Sequence, residues 1–378
     1  MKAILFLQDT EDVSNLYPFT LTRRIEDIRI GILTIREKWE RILNLPSADN
    51  DDITSGYLIS SGLLPAKDII AAIRKLKPGS SLTSETGEVL AACVDEGIKR
   101  NRKQTQPANL QIAGAHKIKY PWHIFELNKQ ALVFDFELIT KGRKSTPVDK
   151  TNSVSGSQNI FLEKGAIVRN CIINAEEGPV YIGKNALLME GSCLRGPISI
   201  GEATVVKMGA KIYGATTVGP GCIVGGEIKN SVLFAHSNKA HDGYLGDSVI
   251  GEWCNLGAGT SNSNLKNTAG NIDVHLHGKK VQAGIKCGVL MGDFTRTAIN
   301  TSINTGTVVG MSANVFGNGL TPKEIPSFSW GFTDQTKYKL DKALTDAHRW
   351  KLLKGQGLTE AEKEIFKKIY KTSKIILQ

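Results

Sequence analysis

The chain has 378 residues, 41% of them hydrophobic and 22% charged, a globular composition long enough for two or three domains, which excludes a disordered or fibrous chain. Glycine is the outlier at 38 residues, about a tenth of the chain against roughly 7% in proteins at large. Lysine and arginine outnumber aspartate and glutamate by 47 to 37, a formal charge of +10, which permits nucleic acid or phosphorylated substrates without choosing between them.

In chain order, residues 1–7 read as a buried strand, 27–43 and 64–76 as helices and 132–136 as a second strand, which together predict a compact α/β domain over residues 1–155. The N-terminal apolar stretch is shorter than the roughly 7 to 15 residues of a signal-peptide core. No segment approaches the roughly 20 apolar residues of a membrane span. The six cysteines form no C-x-x-C pair and no metal-ligand spacing, so reduced, packed thiols and a cytoplasmic location are expected. Residues 142–158, rich in Ser, Thr, Asn and Lys, read as a linker.

Beyond the linker a repeat of six appears. Ile182, Leu188, Leu194, Ile200, Val206, Ile212, Val218 and Val224 stand in unbroken phase, and four of them are followed directly by glycine. The phase resumes at Val232 with Tyr244, Ile250 and Leu256, and again over Ile285, Met291, Thr297, Ile303, Val309 and Val315; Leu162 and Val168 form an earlier fragment. Such hexads predict a left-handed parallel β-helix, in which each hexad is a short strand plus a corner and three hexads close one triangular coil. Of the 38 glycines, 25 lie between Leu162 and Gly317, where corners demand a small residue. An ordinary sandwich predicts period two and does not hold phase over eight sixes. The coil is placed at residues 156–317.

Residues 318–378 read as an extended tail followed by helices over 337–353 and 359–370, the second opened by a capping box of Thr359 and Glu362. From residue 335 onward 11 basic side chains face 5 acidic ones. With no aromatic stacking platform beside it, this reads as a solvated basic face rather than a nucleic-acid site.

Side chains of catalytic type concentrate between Glu227 and Asn264. Lys211 and Lys229, 18 residues apart, are expected to stack on neighbouring coils roughly 4.8 Å apart. Two ammonium groups so placed either hold an anion, with phosphate the natural occupant, or bend apart into solvent. An imidazole, whose reference pKa lies near 6.5, can accept a proton from an attacking amine, which makes His241 a candidate base, and Glu227, about one coil upstream, is placed to orient it. In the N-terminal domain the first strand runs into the acidic, glycine-free segment Gln8-Asp9-Thr10-Glu11-Asp12 instead of a phosphate-cradling loop. Arg23 and Lys38 could supply positive charge for a nucleotide, and Asp135, at the end of the expected strand, could hold Mg²⁺.

The order Glu227-x-Lys229, His241, Tyr244-Leu245-Gly246-Asp247, Asn255-x-Gly257-Ala258-Gly259-Thr260 and Asn264 resembles the hexapeptide acyltransferases, specifically the acetyltransferase half of the bifunctional GlmU enzymes. That resemblance implies acetyl transfer from acetyl-CoA to glucosamine 1-phosphate and a homotrimer with sites between subunits. It also implies His241 as general base, Lys229 and Tyr244 on the phosphate, Asn255 and Asn264 positioning sugar and acetyl group, and Ala258 lining the acetyl-CoA site, with Gly292 and Met311 near the pantetheine arm. Lys211 stands where that family carries arginine, so a phosphate contact remains without bidentate geometry. Over most of its length the chain is similar to the shorter GlmU-like proteins of Bacteroidetes-type bacteria, through Tyr17-Pro18-Phe19-Thr20-Leu21-Thr22-Arg23, residues 31–39, Gly62-Leu63-Leu64-Pro65, Pro121-Trp122 and Ser327-Phe328-Ser329-Trp330-Gly331. Arg24 replaces an expected proline. The shortened, nucleotidyltransferase-like N-terminal domain implies nucleotidyl transfer that needs Mg²⁺, giving UDP-N-acetylglucosamine or a similar sugar nucleotide.

Two other classes fit parts of the pattern. A non-catalytic sugar-nucleotide-binding scaffold fits the missing glycine-rich loop. A γ-type carbonic anhydrase-like zinc protein fits His236 and His241, although the third histidine of such a site falls where Ile200 stands.

Overall fold

The structure is a computed structural model that describes residues 4–9, 13–48, 55–94, 106–112, 116–334 and 336–373. The readings made at Met1 to Ala3 and at Thr10, Glu11 and Asp12 lie outside the described residues. The chain forms two compact units, one of Met1–Leu16, Arg23–Arg29 and Leu33–Lys119, the other of Tyr17–Thr22, Ile30–Ile32 and Tyr120–Gln378.

The first unit is α/β. Strand β1 (Ile4–Gln8) pairs in parallel with β2 (Gly56–Ser60) in a five-stranded sheet of order β1-β2-β4-β3-β5, completed by β3 (Ser80–Ser84), β4 (Val89–Val94) and β5 (Gln106–Ile112). Helix α1 (Ile35–Leu43) starts eight residues later than the spacing predicts, because Ile25–Asp27 closes as a 3₁₀ turn and Thr34 caps the helix. Thr34 Oγ1 accepts the Glu37 N–H at 3.2 Å, while Glu37 Oε2 accepts the Thr34 N–H at 2.7 Å. The face of α1 carrying Ile35, Lys38, Trp39 and Ile42 is buried, and the Trp39 indole N–H donates to the Leu63 carbonyl at 2.9 Å. Helix α2 spans Lys67–Arg74, inside the expected 64–76.

In the second unit a short helix α3 (His123–Glu126) leads into α4 (Asn128–Thr140), which corrects the strand expected at 132–136. Residues 132–136 are apolar or aromatic except for Asp135, and so short a run does not distinguish the two periods. Asn128, Ala131, Leu132 and Asp135 are the buried positions, at helical spacing. Asn128 fastens α4 to the coil: its amide donates to the Ala215 carbonyl at 2.6 Å and accepts the Gly31 N–H at 2.7 Å. Gly31 has φ +73°, and a Cβ there would lie 2.5 Å from the Asp135 carboxylate, so only glycine fits.

The rest of the second unit is the expected parallel β-solenoid, with three sides. Its first side is a nine-stranded parallel ladder whose inward residues are Leu162, Ile182, Ile200, Val218, Leu233, Ile250, Met291, Val309 and Ile325, each at most 2% exposed. Burying one such side chain contributes roughly 1.5–3 kcal/mol, so the column is the spine of the fold. Coils are not all 18 residues long. Val218 pairs with Leu233 and Ile212 with Ile228, so the coil shortens there and the inward phase moves by one residue. Leu233 and Leu245 therefore fill the core column in place of the expected Val232 and Tyr244, and Tyr244 turns outward beside Leu245. Ile285 is 54% exposed, in an excursion between Asn262 and Met291 that carries the hairpin Asp273–Leu276 and Lys279–Gln282.

The coil continues through the expected tail, with Glu324–Ile325 pairing with Val308–Val309 and Trp330 with Asn314. Helices α5 (Leu340–Leu352) and α6 (Glu360–Thr372) follow, the latter with the expected Thr359/Glu362 capping box. They bury Ala343, Ala347, Phe366 and Ile369 against Trp253, Phe294, Met311 and Phe328 of the coil.

Candidate active site

The outward residues of the solenoid's third side carry most of the expected chemistry. Lys211, Glu227 and Tyr244 stack on successive coils, and Tyr213, Lys229 and Gly246 form the neighbouring row. This corrects the expected Lys211 and Lys229 pair: the shortened coil sets Lys211 opposite Glu227, its Nζ 3.8 Å from the carboxylate, and Lys229 opposite Tyr213, its Nζ 5.7 Å from the ring centroid. The Tyr213 hydroxyl donates to Glu227 Oε1 at 2.7 Å. With its proton held by that carboxylate, the phenol is pushed up to about 12. Both lysines still stand on one face, separated by a carboxylate and a phenol.

At the next corner Asn264 Nδ2 donates to the Tyr244 hydroxyl at 3.3 Å and to Asp247 Oδ2 at 2.5 Å, while Asn230 Nδ2 donates to Asp247 Oδ1 at 2.6 Å. Asp247, with φ +45°, thus orients Asn264 toward Tyr244. Burial, then the charges of Asp247 and Glu227, raise the Tyr244 phenol above its ordinary range, so it is a hydrogen-bond donor at neutral pH. The structure therefore brings Lys211, Glu227, Lys229, Tyr244 and Asn264 onto one face, backed by the buried Asp247, which the sequence reading named only as part of a motif, and joined by Tyr213 and Asn230, which it missed. Tyr213 stands 16 residues before Lys229, a spacing that signals contact only once the shortened coil is known.

His241 lies at the corner between the second and third sides, with its imidazole exposed. The expected support from Glu227 is absent: that carboxylate is engaged by Tyr213 and Lys211 and makes no hydrogen bond to the His241 ring. The His241 carbonyl instead accepts the ammonium of Lys239. Around the corner the chain is tightly specified. Gly243 has φ +121°, and a Cβ there would lie 2.2 Å from the Thr260 carbonyl oxygen. Ala258 occupies the same corner one coil on, where Gly259 N–H donates to the Asp242 carbonyl at 2.9 Å.

Other expected site residues lie elsewhere. Asn255 faces outward on the second side between Asn238 and Arg296, where Asn238 Nδ2 donates to its Oδ1 at 3.4 Å. Met311 is 1% exposed and packed beneath α5 and α6, and Gly292 is buried with its would-be Cβ 3.0 Å from Gly310. Neither is exposed to a pantetheine arm, Met311 because the C-terminal helices pack over it and Gly292 because the next coil abuts it. His236 stacks on Trp253, ring centroids 4.3 Å apart, and burial with the nearby Lys354 and Lys351 charges depresses its pKa to about 4. Among the described residues no group of three or more His, Cys, Asp and Glu is placed to hold a metal.

In the first unit Lys38 is fully buried, with its ammonium donated to the Leu33 carbonyl at 3.1 Å, so the expected nucleotide contact is replaced by a helix-to-loop tie. Arg23 is half-buried. Asp9 accepts the Ser61 hydroxyl at 2.6 Å. Glu26, completely buried between Arg24 Nε at 2.7 Å and Arg36 Nη2 at 3.2 Å, is raised by burial to about 7; Arg24, found in place of the expected proline, is half of that clamp. Asp135 does not fit a Mg²⁺ site: it lies mid-helix on α4, fully buried, with its carboxylate accepting the Ile32 N–H at 2.8 Å.

A family model described as sugar nucleotidyl transferase matches residues 4–58 and 46–144. The bifunctional protein GlmU of Methanococcus maripaludis is 29% identical over 294 residues, 77% of this chain and 63% of that one. Over that span the chain is similar to a GlmU protein. The GlmU of Methanocaldococcus jannaschii is 30% identical over 274 residues, 71% of this chain and 59% of that one. A bifunctional sugar-1-phosphate nucleotidylyltransferase/acetyltransferase of Sulfurisphaera tokodaii is 35% identical over 100 residues, 26% of this chain and 25% of that one. The chain thus spans under two thirds of the GlmU proteins it matches. Against the solved Arabidopsis UDP-N-acetylglucosamine acyltransferase, the superposition covers 59% of this chain and 88% of that one at 16% identity, with a TM-score of 0.28, too low to carry an argument.

Proposed function

We propose that the solenoid transfers an acetyl group from acetyl-CoA to the amine of an amino-sugar phosphate of the glucosamine 1-phosphate type. The first unit then handles the sugar 1-phosphate and a nucleotide, toward a sugar nucleotide such as UDP-N-acetylglucosamine. The observation that carries the reading is the surface of Lys211, Lys229, Tyr244 and Asn264 beside the exposed imidazole of His241. Two lysines and a phenol that keeps its proton suit a phosphate dianion. Bound there, the sugar presents its amine toward the His241 corner. The nitrogen attacks the thioester carbonyl, His241 accepts the amine proton, the N–C bond forms as the C–S bond breaks, and the thiolate leaves to be protonated. Ala258, one coil on, leaves room for the acetyl end of the donor.

Resemblance to GlmU supports a homotrimer with sites completed between subunits. Among the described residues no helix is long and apolar enough to cross a membrane, which agrees with a cytoplasmic enzyme of nucleotide-sugar synthesis.

Thiol release from acetyl-CoA in the presence of glucosamine 1-phosphate tests the proposal. A positioned general base contributes about 10²- to 10⁴-fold, so His241→Ala is expected to lower kcat by at least about 100-fold while oligomer size is unchanged; an unaffected rate would sink the base assignment. For the first unit, buried Lys38 favours a second reading, a domain that binds a sugar nucleotide without transferring one. Pyrophosphate release from UTP with N-acetylglucosamine 1-phosphate and Mg²⁺ decides between the two.

A further inference from the structure

Lys239 is out of place by every rule of the solenoid. It pairs in register with Val224, in the inward column of the second side that Val168, Leu188, Val206 and Val224 otherwise fill with aliphatic side chains. Only 1% of it is exposed. An ammonium in such a column costs free energy unless its protons are bonded. Its Nζ donates to the Gly225 carbonyl at 3.2 Å and, more closely, to the His241 carbonyl. Burial lowers its pKa to about 8, opposed by the charge of Asp242.

The corner explains the need for that donor. The carbonyls of Lys239, Asp242 and Gly243 are taken by backbone N–H groups of Gly225, Gly259 and Glu227 in adjoining coils. The His241 carbonyl falls outside this ladder, and the lysine supplies the donor the coil does not. A valine there would pack better and leave the His241 peptide free to rotate at an exposed corner next to Gly243. We propose that Lys239 is a positioning residue for acetyl transfer, whose ammonium, reaching from inside the solenoid, fixes the His241 main chain and thereby aims the imidazole at an amine held on the Lys229 and Tyr244 surface. This rests on the reading of His241 as general base.

The test is Lys239→Met in the full-length chain, nearly isosteric and apolar. Expected is a fall in kcat of at least about tenfold, with KM for acetyl-CoA and for glucosamine 1-phosphate within about twofold of wild type, and a thermal midpoint equal to or above wild type. Amide exchange over residues 240–243, read by mass spectrometry, is expected to quicken. An unchanged kcat overturns the proposal even if exchange quickens, since the clamp would then be structural only; unchanged exchange overturns it whatever the rate. If wild type releases no thiol with any amino-sugar phosphate, the reading of the site fails by itself, and exchange at the corner still decides whether Lys239 holds it. Should Lys239→Met not assemble, Lys239→Gln, whose amide can serve one of the two carbonyls, takes its place with an intermediate loss expected.

Discussion

His236 shows how a single half-buried base makes a pH-dependent contact. Its ring lies against Trp253, and Lys354 and Lys351 face it from the C-terminal segment. With a folded pKa of about 4 against roughly 6.5 unfolded, the folded chain binds fewer protons than the unfolded one between those values, so stability rises with pH across that window. The contribution is complete above about pH 6.5 and lost as pH falls through about 4, at most about 3 kcal/mol at 1.36 kcal/mol per unit. Denaturant midpoints of the wild type should therefore fall between pH 7 and pH 5, and His236→Phe, which keeps the stack, should flatten that slope. A second single-residue prediction concerns Gly243. Its φ of +121° and the 2.2 Å approach to Thr260 leave no place for a methyl group, so Gly243→Ala should cost about 2 kcal/mol or more and slow the proposed acetyl transfer by displacing His241, two residues away.

Among the elements, the C-terminal hairpin carries over half of the formal charge, yet its basic residues are not all a solvated face. Lys351 is 4% exposed, bonded to Glu362 at 2.5 Å with its Nζ 4.9 Å from the Trp253 ring centroid. Lys354 places all three of its ammonium protons on the coil, at the Gly221 carbonyl (2.7 Å), the His236 carbonyl (2.8 Å) and Asn238 Oδ1 (3.0 Å). Asn238 in turn bonds Asn255, so the hairpin reaches a candidate site residue through one amide. Charge-assisted hydrogen bonds of this kind are worth about 1.5–3 kcal/mol each before desolvation. Lys354→Met should accordingly destabilise docking of α5 and α6 by about 1–3 kcal/mol, seen as faster amide exchange in both helices, with the solenoid strands unchanged. The hexad count finds the solenoid because inward positions recur physically, not statistically. It misplaces Tyr244 and Val232 because a coil two to three residues short, Ile212 to Ile228 and Val218 to Leu233, sets the inward positions there at Leu233 and Leu245, one place past the expected ones, before Ile250 rejoins the expected phase.

At the scale of the whole molecule, a solenoid is close to one-dimensional: each coil touches only its neighbours, so a change at the His241 corner is not expected to propagate far along it. The two proposed activities should therefore separate. His241→Ala should remove thiol release while leaving pyrophosphate release, where wild type shows it, within about twofold, as measured on the same preparation.

The parallel β-helix, the helical hairpin and the clustering of Tyr244 with Asn264 were legible from sequence alone, since a repeat of six and a short motif are local facts. Which groups touch was not. The partner of Glu227 is Tyr213 rather than His241, the stacking neighbour of Lys211 is Glu227 rather than Lys229, and Lys38 and Asp135 are turned inward away from any nucleotide or metal. Those outcomes depend on coil length, helix onset and which helices cover which edge. Such features are set by packing over separations of tens to hundreds of residues, and no local spacing encodes them.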